Sequence, residues 1–298
     1  GGQIATMSGD FNGDGYSDFV LFGYSGATAL TSYVYFGGSN LTGVNATSLN
    51  TAGNGRGFAI NGLTGGNTAF FGTNAGDING DGNVDLVLAG CNTSNNTLTV
   101  TSLNGVGDGS FGTAATPKQY SGYSCATAGA YRLVDLNGDG QSDIVWVSTT
   151  ATQVNVYALL NNGANGFATP TVLAGSVSPP SGFTPANIQQ PFYSTDINSD
   201  GIPDVALLYT NGNAIAVQYF AGQLNGTLSS AINLFSYSGV PGNVSYTYAA
   251  NYSLQLADLN ADGNPDLIAM GSGTSGASAD VWINQGAGQF TSVSKNSL

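Results

Sequence analysis

The chain has 298 residues, of which 7% are charged, with a formal net charge of −13 and no histidine. Its four basic residues, Arg56, Lys118, Arg132 and Lys295, are too few and too scattered to form a phosphate-binding patch, which excludes nucleic acid as a partner. No apolar run approaches the roughly 18 residues of a membrane-spanning helix, and two cysteines without histidine leave little for a zinc or copper site.

All 17 acidic residues are aspartate, and fifteen of them lie in five copies of one frame, D-x-N-x-D-G-x-x-D. The first copy, "DFNGDGYSD", follows the semi-apolar segment "QIATMSG" and leads into "DFVLFG"; it places Asp10, Asn12, Asp14, Tyr16 and Asp18 at positions 1, 3, 5, 7 and 9. The second, "DINGDGNVD", holds Asp77, Asn79, Asp81, Asn83 and Asp85 and runs into "DLVLAG". An alternating segment with Leu98 and Val100 follows, then the turn "NGVGDGSF". The third, "DLNGDGQSD", holds Asp135, Asn137, Asp139, Gln141 and Asp143, and is followed by "DIVWVS", by Val154, Val156 and Ala158 in alternation, and by "NNGANGF". The fourth, "DINSDGIPD", holds Asp196, Asn198, Asp200, Ile202 and Asp204, with "DVALLY" and then Ile215, Val217 and Tyr219 after it. The fifth, "DLNADGNPD", holds Asp258, Asn260, Asp262, Asn264 and Asp266, with "DLIAMG", then Val281 and Ile283, then "NQGAGQF". Only Asp108 and Asp280 fall outside these loops.

Three carboxylates in one tight loop repel each other unless a cation joins them. Alternating Asp and Asn oxygens around a sharp Gly turn are the donors that a hard divalent cation takes, and five or so protein ligands suit Ca²⁺ better than Mg²⁺. Side chains at positions 1, 3, 5 and 9 and the carbonyl of position 7 form the expected ligand set, for up to five Ca²⁺. An EF-hand is excluded: its position 12 needs a bidentate acid followed by a helix, whereas position 12 here is Leu21, Leu88, Trp146, Leu207 or Ala269. The runs after the loops are short, apolar and rich in β-formers, and read as strands buried on both faces. Five divalent ions would bring the formal charge from −13 to about −3, so the acidity reads as ligand inventory and not as a steering field.

The first aspartates of successive loops are 67, 58, 61 and 62 residues apart. A period of this length that fills the chain means a repeat architecture. Each period reads as four strands: before the loop, after it, the alternating segment, and a last strand after the turn. The expectation is an all-β, single-domain β-propeller of four-stranded antiparallel blades, with repeats at about 1–61, 62–119, 120–180, 181–240 and 241–298. Cys91 and Cys125 are expected to pair in a disulfide. Among the aromatics, Trp146 lies in a run read as buried, and Trp282 alone is a candidate to face outward.

The loop, the buried strand, the alternating strand and the "NNG-x-G-x-F" turn together resemble the FG-GAP/VCBS repeat family of integrin-α-like β-propellers. The resemblance spans the whole chain, though the turn is degraded in repeats 1 ("FGGSN") and 4 ("AGQLNGT"). It implies Ca²⁺ in the hairpin between the first two strands of each blade, on loop positions 1, 3, 5, 7 and 9. Family propellers commonly have seven blades, and five are counted here. The chain is therefore a small closed ring, a piece of a larger propeller, or an arc completed by another chain.

Millimolar Ca²⁺ is available outside cells and low-affinity extracellular modules use it, which points to an extracellular, secreted or cell-surface protein. No signal peptide is visible at "GGQIATMSGD", so the sequence reads as mature or cropped. With no His, no Glu and its aspartates committed to metal, the chain offers no acid–base pair and is expected not to be an enzyme. The expected role is adhesion or recognition of an extracellular glycan or protein ligand. Two alternatives stand beside it: a structural subunit that packs against copies of itself in a surface layer or fibre, and an accessory domain of a polysaccharide-degrading enzyme.

Overall fold

A computed structural model of the chain describes residues 3–25, 28–39, 57–63, 69–92, 97–112, 115, 118–121, 131–161, 163, 167, 171–188, 193–211, 214–238, 253–273, 276–286 and 288–297. The fold is an all-β propeller of five four-stranded antiparallel blades. Blade 1 comprises β1 (Gln3–Gly9), β2 (Asp18–Ser25), β3 (Thr28–Tyr35) and β4 (Gly57–Leu63). Blade 2 comprises β5 (Ala69–Gly76), β6 (Asp85–Asn92), β7 (Thr97–Leu103) and β8 (Lys118–Ser121). Blade 3 comprises β9 (Tyr131–Val134), β10 (Asp143–Thr149), β11 (Val154–Leu159) and β12 (Thr171–Val177). Blade 4 comprises β13 (Tyr193–Thr195), β14 (Asp204–Asn211), β15 (Ala214–Phe220) and β16 (Ile232–Ser238). Blade 5 comprises β17 (Ser253–Ala257), β18 (Asp266–Gly273), β19 (Gly276–Asn284) and β20 (Phe290–Ser297). Every blade is ordered as in the sequence, and each aspartate loop joins its first strand to its second. A 3₁₀ turn lies at Pro185–Asn187.

The chain divides into two compact units. The first is Gly1–Val134 with Gly140–Val145 and Leu159–Pro170; the second is Asp135–Asp139, Trp146–Ala158 and Thr171–Leu298. In the first unit, Tyr131 of β9 donates its phenol hydrogen to the carbonyl of Val87 in β6, and Phe11 meets Phe111 edge-on at 5.7 Å. In the second, Leu208, Ile215 and Val217 of blade 4 close a core with Leu254, Leu267, Ala269 and Trp282 of blade 5. Trp146 is buried and stacks on Tyr157 at 4.9 Å.

Two of the strands after the loops are buried on both faces, as their unbroken apolar runs require: β10 and β14 expose side chains only at their far ends. β2 departs from this, with Phe19 39% exposed and stacked on Tyr35 at 4.8 Å. The third strands are less uniform than their alternation predicts. β7 keeps Leu98 and Val100 inward, whereas β11 is buried throughout and β15 nearly so. The polar residues on the second face of β15 are tolerated because they are bonded. Tyr209 donates its hydroxyl hydrogen to Gln218 Oε1 at 2.8 Å, and Gln218 Nε2 donates to Asn233 Oδ1 at 3.0 Å and to the Ser178 carbonyl at 3.1 Å. Trp282 is a correction. β19 turns Trp282 and Asn284 inward and leaves Val281 and Ile283 half-buried, so this tryptophan is 4% exposed and belongs to the core. Cys125 and the Cys91 side chain lie outside the described residues, and with them the expected disulfide.

Because Trp282 fills the space between two blades, Trp282→Ala is expected to cost about 3–5 kcal/mol of unfolding free energy in a urea titration. An outward-facing tryptophan would cost almost nothing.

Candidate metal centres

Each loop has an exposed rim and a buried root. The root is the position-9 aspartate, which opens the second strand of its blade; Asp18, Asp85, Asp143, Asp204 and Asp266 are all at most 1% exposed. Burying a carboxylate is costly unless each oxygen is bonded. Here one oxygen takes the N–H of position 2 of the same loop: Phe11 on Asp18 (2.8 Å), Ile78 on Asp85 (2.8 Å), Ile197 on Asp204 (2.8 Å) and Leu259 on Asp266 (2.9 Å). The other oxygen takes an N–H from the end of the third strand or just beyond it: Gly37 on Asp18 (2.7 Å), Gly105 on Asp85 (2.6 Å), Asn161 on Asp143 (2.6 Å), Gly222 on Asp204 (2.9 Å) and Asn284 on Asp266 (2.8 Å). The ninth residue therefore joins loop to turn, whatever else it binds.

The rim is built from positions 1, 3 and 5. In the first loop Asp10 accepts the N–H of Asp14 at 3.1 Å and of Gly15 at 2.9 Å. Asn12 accepts the Asp14 N–H and donates its amide hydrogen to Asp14 Oδ2, at 3.1 and 3.0 Å. Asp14 Oδ1 accepts the N–H of Tyr16 at 2.9 Å. The second, fourth and fifth loops repeat this pattern through Asp77, Asn79 and Asp81, through Asp196, Asn198 and Asp200, and through Asp258, Asn260 and Asp262. In the third loop Asp139 sends its N–H to Asp135 and to Asn137, at 3.0 and 3.1 Å.

Backbone geometry explains why glycine recurs. Positions 4 and 6 both have positive φ: 71° and 84° at Gly13 and Gly15, and 77° and 83° at Gly80 and Gly82. Position 6 is glycine in every loop, but position 4 is Ser199 (65°) in the fourth and Ala261 (60°) in the fifth, and a Cβ in the left-handed region is a strain. The loop frame identified the turn at position 6; the second left-handed residue was carried only by the G, G, G, S, A series at position 4.

At two position-9 aspartates the charges of the rim are felt at the root. Burial first raises the Asp85 carboxyl; the N–H groups of Ile78 and Gly105 oppose that, and the charges of Asp81 and Asp77 add to it. Asp204 is pushed up to about 6, chiefly by burial, with the charge of Asp200 contributing. On the rim, Asp81 and Asp262 are held below the usual carboxylate range, first by the N–H of Asn83 and of Asn264. Among the described residues no three His, Cys, Asp or Glu side chains stand grouped to hold a metal ion. Position 3 is an amide, and the rim carboxylates in this conformation face loop N–H groups. The donor chemistry still fits a hard cation: every side-chain donor at positions 1, 3, 5 and 9 is an oxygen.

Two residues escaped the sequence reading. Asn161 donates its amide hydrogens to the Ile78 and Ser142 carbonyls, and Asn284 donates to those of Ile197 at 3.0 Å and Pro265 at 3.3 Å. Each reaches from its own blade to position 2 of the preceding blade's loop. The "NNG" and "NQG" signals marked a turn, and nothing in them announced a clamp. Asp108 accepts the N–H of Ser110 at 2.8 Å and its hydroxyl, and is part of the turn, as its setting implied. Asp280 lies half-buried on β19.

Residues 196–269 match the FG-GAP-like repeat. The match supports the repeat family that the loops resemble, and it spans the fourth loop, the fifth loop and the strands between them. No curated protein matches the chain in sequence. Among solved structures, a variant of the Aleuria aurantia lectin in complex with Fucα1-6GlcNAc is similar at 11% identity and a TM-score of 0.49, over 99% of this chain and 79% of that one. AofleA from Arthrobotrys oligospora aligns at 14% identity and a TM-score of 0.45, over 93% and 69%. The exotype rhamnogalacturonan lyase YesX aligns at 14% and 0.42, over 97% and 61%. These likenesses are too distant to bear on function.

Asp204→Ala leaves the buried N–H groups of Ile197 and Gly222 without acceptors, at about 1–3 kcal/mol each. It should lower the melting temperature with chelator present, where Asp200→Ala, on the exposed rim, should not. Ala261→Gly relieves a left-handed backbone with no side-chain bond to lose, and is expected to add about 1 kcal/mol in denaturant unfolding.

Proposed function

We propose that the chain is a secreted, non-catalytic recognition module whose five aspartate loops each take one Ca²⁺. The observation that carries the metal reading is the donor set itself: each loop gathers three aspartates and an asparagine within nine residues, and their repulsion is felt at the root, where the charges of Asp81 and Asp77 add to the rise that burial gives Asp85. A hard cation on the same oxygens removes that repulsion. In the first loop the holders would be Asp10, Asn12, Asp14, Asp18 and the Tyr16 carbonyl, and the same positions would serve in the other four. Bound Ca²⁺ supplies charge neutralisation and cross-links the hairpin between the first two strands.

The absence of His and Glu from the sequence supports a non-catalytic role, as does the engagement of each position-9 aspartate by backbone N–H groups. Calcium sites built on exposed loops suit the millimolar Ca²⁺ outside cells, which supports secretion. The partner class proposed is an extracellular glycan or protein ligand.

Thermal unfolding tests the metal reading. At free Ca²⁺ of about 100 times Kd, each loop adds about 2.7 kcal/mol. Ca²⁺ should therefore raise the melting temperature strongly, EGTA should reverse the rise, and Asp200→Ala should remove one loop's share. NaCl at matched ionic strength should restore little, because screening supplies no ligation. A melting curve indifferent to EGTA, or rescued equally by NaCl, sinks the calcium reading. The recognition reading is tested on a glycan array probed with and without Ca²⁺. Retention of a monomer supports it, and self-assembly without retention favours the structural-subunit alternative.

A further inference from the structure

We propose that Asn12 and Asn137 are sites of spontaneous deamidation, so that the first and third loops modify themselves while the second is guarded. Five Asn-Gly pairs lie in the described loops and turns: Asn12–Gly13, Asn79–Gly80, Asn104–Gly105, Asn137–Gly138 and Asn225–Gly226. In such a pair the glycine nitrogen loses its proton to solvent and attacks the asparagine Cγ. The Cγ–Nδ2 bond breaks, ammonia leaves, and a cyclic imide forms. One water opens the ring at either carbonyl and gives aspartate or isoaspartate. The net reaction consumes only water.

The fold sorts these pairs by what holds the attacking nitrogen. Gly80 donates its N–H to Asp77 Oδ1 at 2.7 Å, Gly105 to Asp85 Oδ1 at 2.6 Å, and Gly226 to the Gln223 carbonyl at 2.8 Å. Gly13 and Gly138 donate no hydrogen bond to a described residue. Both have positive φ, 71° and 73°; a Cβ at Gly13 would meet nothing within 4 Å, and one at Gly138 only the tip of Leu224 at 4.0 Å. The electrophile is prepared alike in all three loops, the Asp81 N–H lying 2.9 Å from Asn79 Oδ1, so the nitrogen alone sorts them. The Asp14 N–H lies 3.1 Å from Asn12 Oδ1 and the Asp139 N–H 3.1 Å from Asn137 Oδ1, placed to stabilise the oxyanion of the tetrahedral intermediate. Exposure alone would give a different order, because Asn79 is exposed whereas Asn12 and Asn137 are half-buried. The fourth and fifth loops are internal controls, since Ser199 and Ala261 add a Cβ beside the nitrogen and Ser199 also donates to Asp196 at 2.7 Å.

The consequence for the loop rests on the calcium reading above. Aspartate at position 3 gives the rim a third carboxylate, which strengthens a cation site by one charge. Isoaspartate inserts a methylene into the main chain just before a left-handed residue and disrupts the turn. The chemistry itself does not depend on the metal.

The test is peptide mapping by mass spectrometry of the folded full chain, aged at neutral pH without Ca²⁺. Asn12 and Asn137 should convert, with Asn79, Asn104 and Asn225 about tenfold slower, the factor that one retained hydrogen bond to the nitrogen supplies. In urea the five Asn-Gly pairs should convert at similar rates. Equal rates at Asn12 and Asn79 in the folded chain, or the same ranking in urea, overturn the proposal. Added Ca²⁺ should slow Asn12 and Asn137 by fixing their side chains. If it does not while the ranking holds, the calcium reading fails and the deamidation sites stand.

Discussion

A buried carboxylate held by backbone N–H groups is the interaction on which each blade depends. It joins a loop to a turn that lies 18 to 20 residues further along the chain, as Asn284 does on Asp266 and Gly105 on Asp85. The geometry admits little substitution. Glutamate would carry its carboxylate a methylene past both donors, and asparagine would present an N–H to an N–H. The chain uses aspartate at all five positions and has no glutamate anywhere. The cost of a charge at zero exposure is visible in Asp204, whose carboxyl burial pushes up to about 6 against three backbone N–H groups that pull it down.

This root fixes what the rim can do. In four loops position 2 points inward, where Phe11, Ile78, Leu136 and Ile197 are buried, while Leu259 of the fifth is 48% exposed; the N–H of this position is turned to the position-9 carboxylate. Positions 1, 3 and 5 are thereby left to face solvent, wound by two left-handed residues into a coil whose oxygens are satisfied by its own N–H groups. The coil is thus a complete hydrogen-bonded object without metal, and its residual problem is charge. That division separates two roles: the root ties loop to turn in any medium, and the rim is the part on which the proposed cation would act.

Much of this was legible in the sequence because the loop frame repeats. Five copies of nine residues revealed the all-β class and the four-strand period, and the double burial of β10 and β14, since an unbroken run such as "DIVWVS" has no polar face to offer; Phe19 of β2 is exposed despite such a run. Side-chain orientation was less legible. Alternation around Trp282 suggested an outward face, but β19 turns Trp282 and Asn284 inward, and period-two patterns carry no sign of which face is buried. The burial of position 9 was hidden for a related reason. The frame shows that an aspartate is required, and both a metal ligand and a backbone acceptor require one. Asn161 and Asn284 were hidden because their partners are carbonyls, which have no residue identity to read.

At the position of these two asparagines the other blades carry glycine, and for a steric reason. A Cβ at Gly37, Gly105 or Gly222 would lie 2.4, 2.3 or 2.2 Å from the carbonyl oxygen of loop position 8. In blades 3 and 5 that same carbonyl receives the asparagine amide instead, at 3.2 and 3.3 Å. A blade of the glycine type is closed within itself at this point. A blade of the asparagine type is not, since its amide also reaches Ile78 or Ile197 one repeat earlier. The repeats are therefore not interchangeable cassettes. Duplication or exchange of a single asparagine-type blade would strand its amide against a foreign neighbour, so the smallest segment that could be copied or transplanted intact is the pair, blades 2 with 3 or blades 4 with 5.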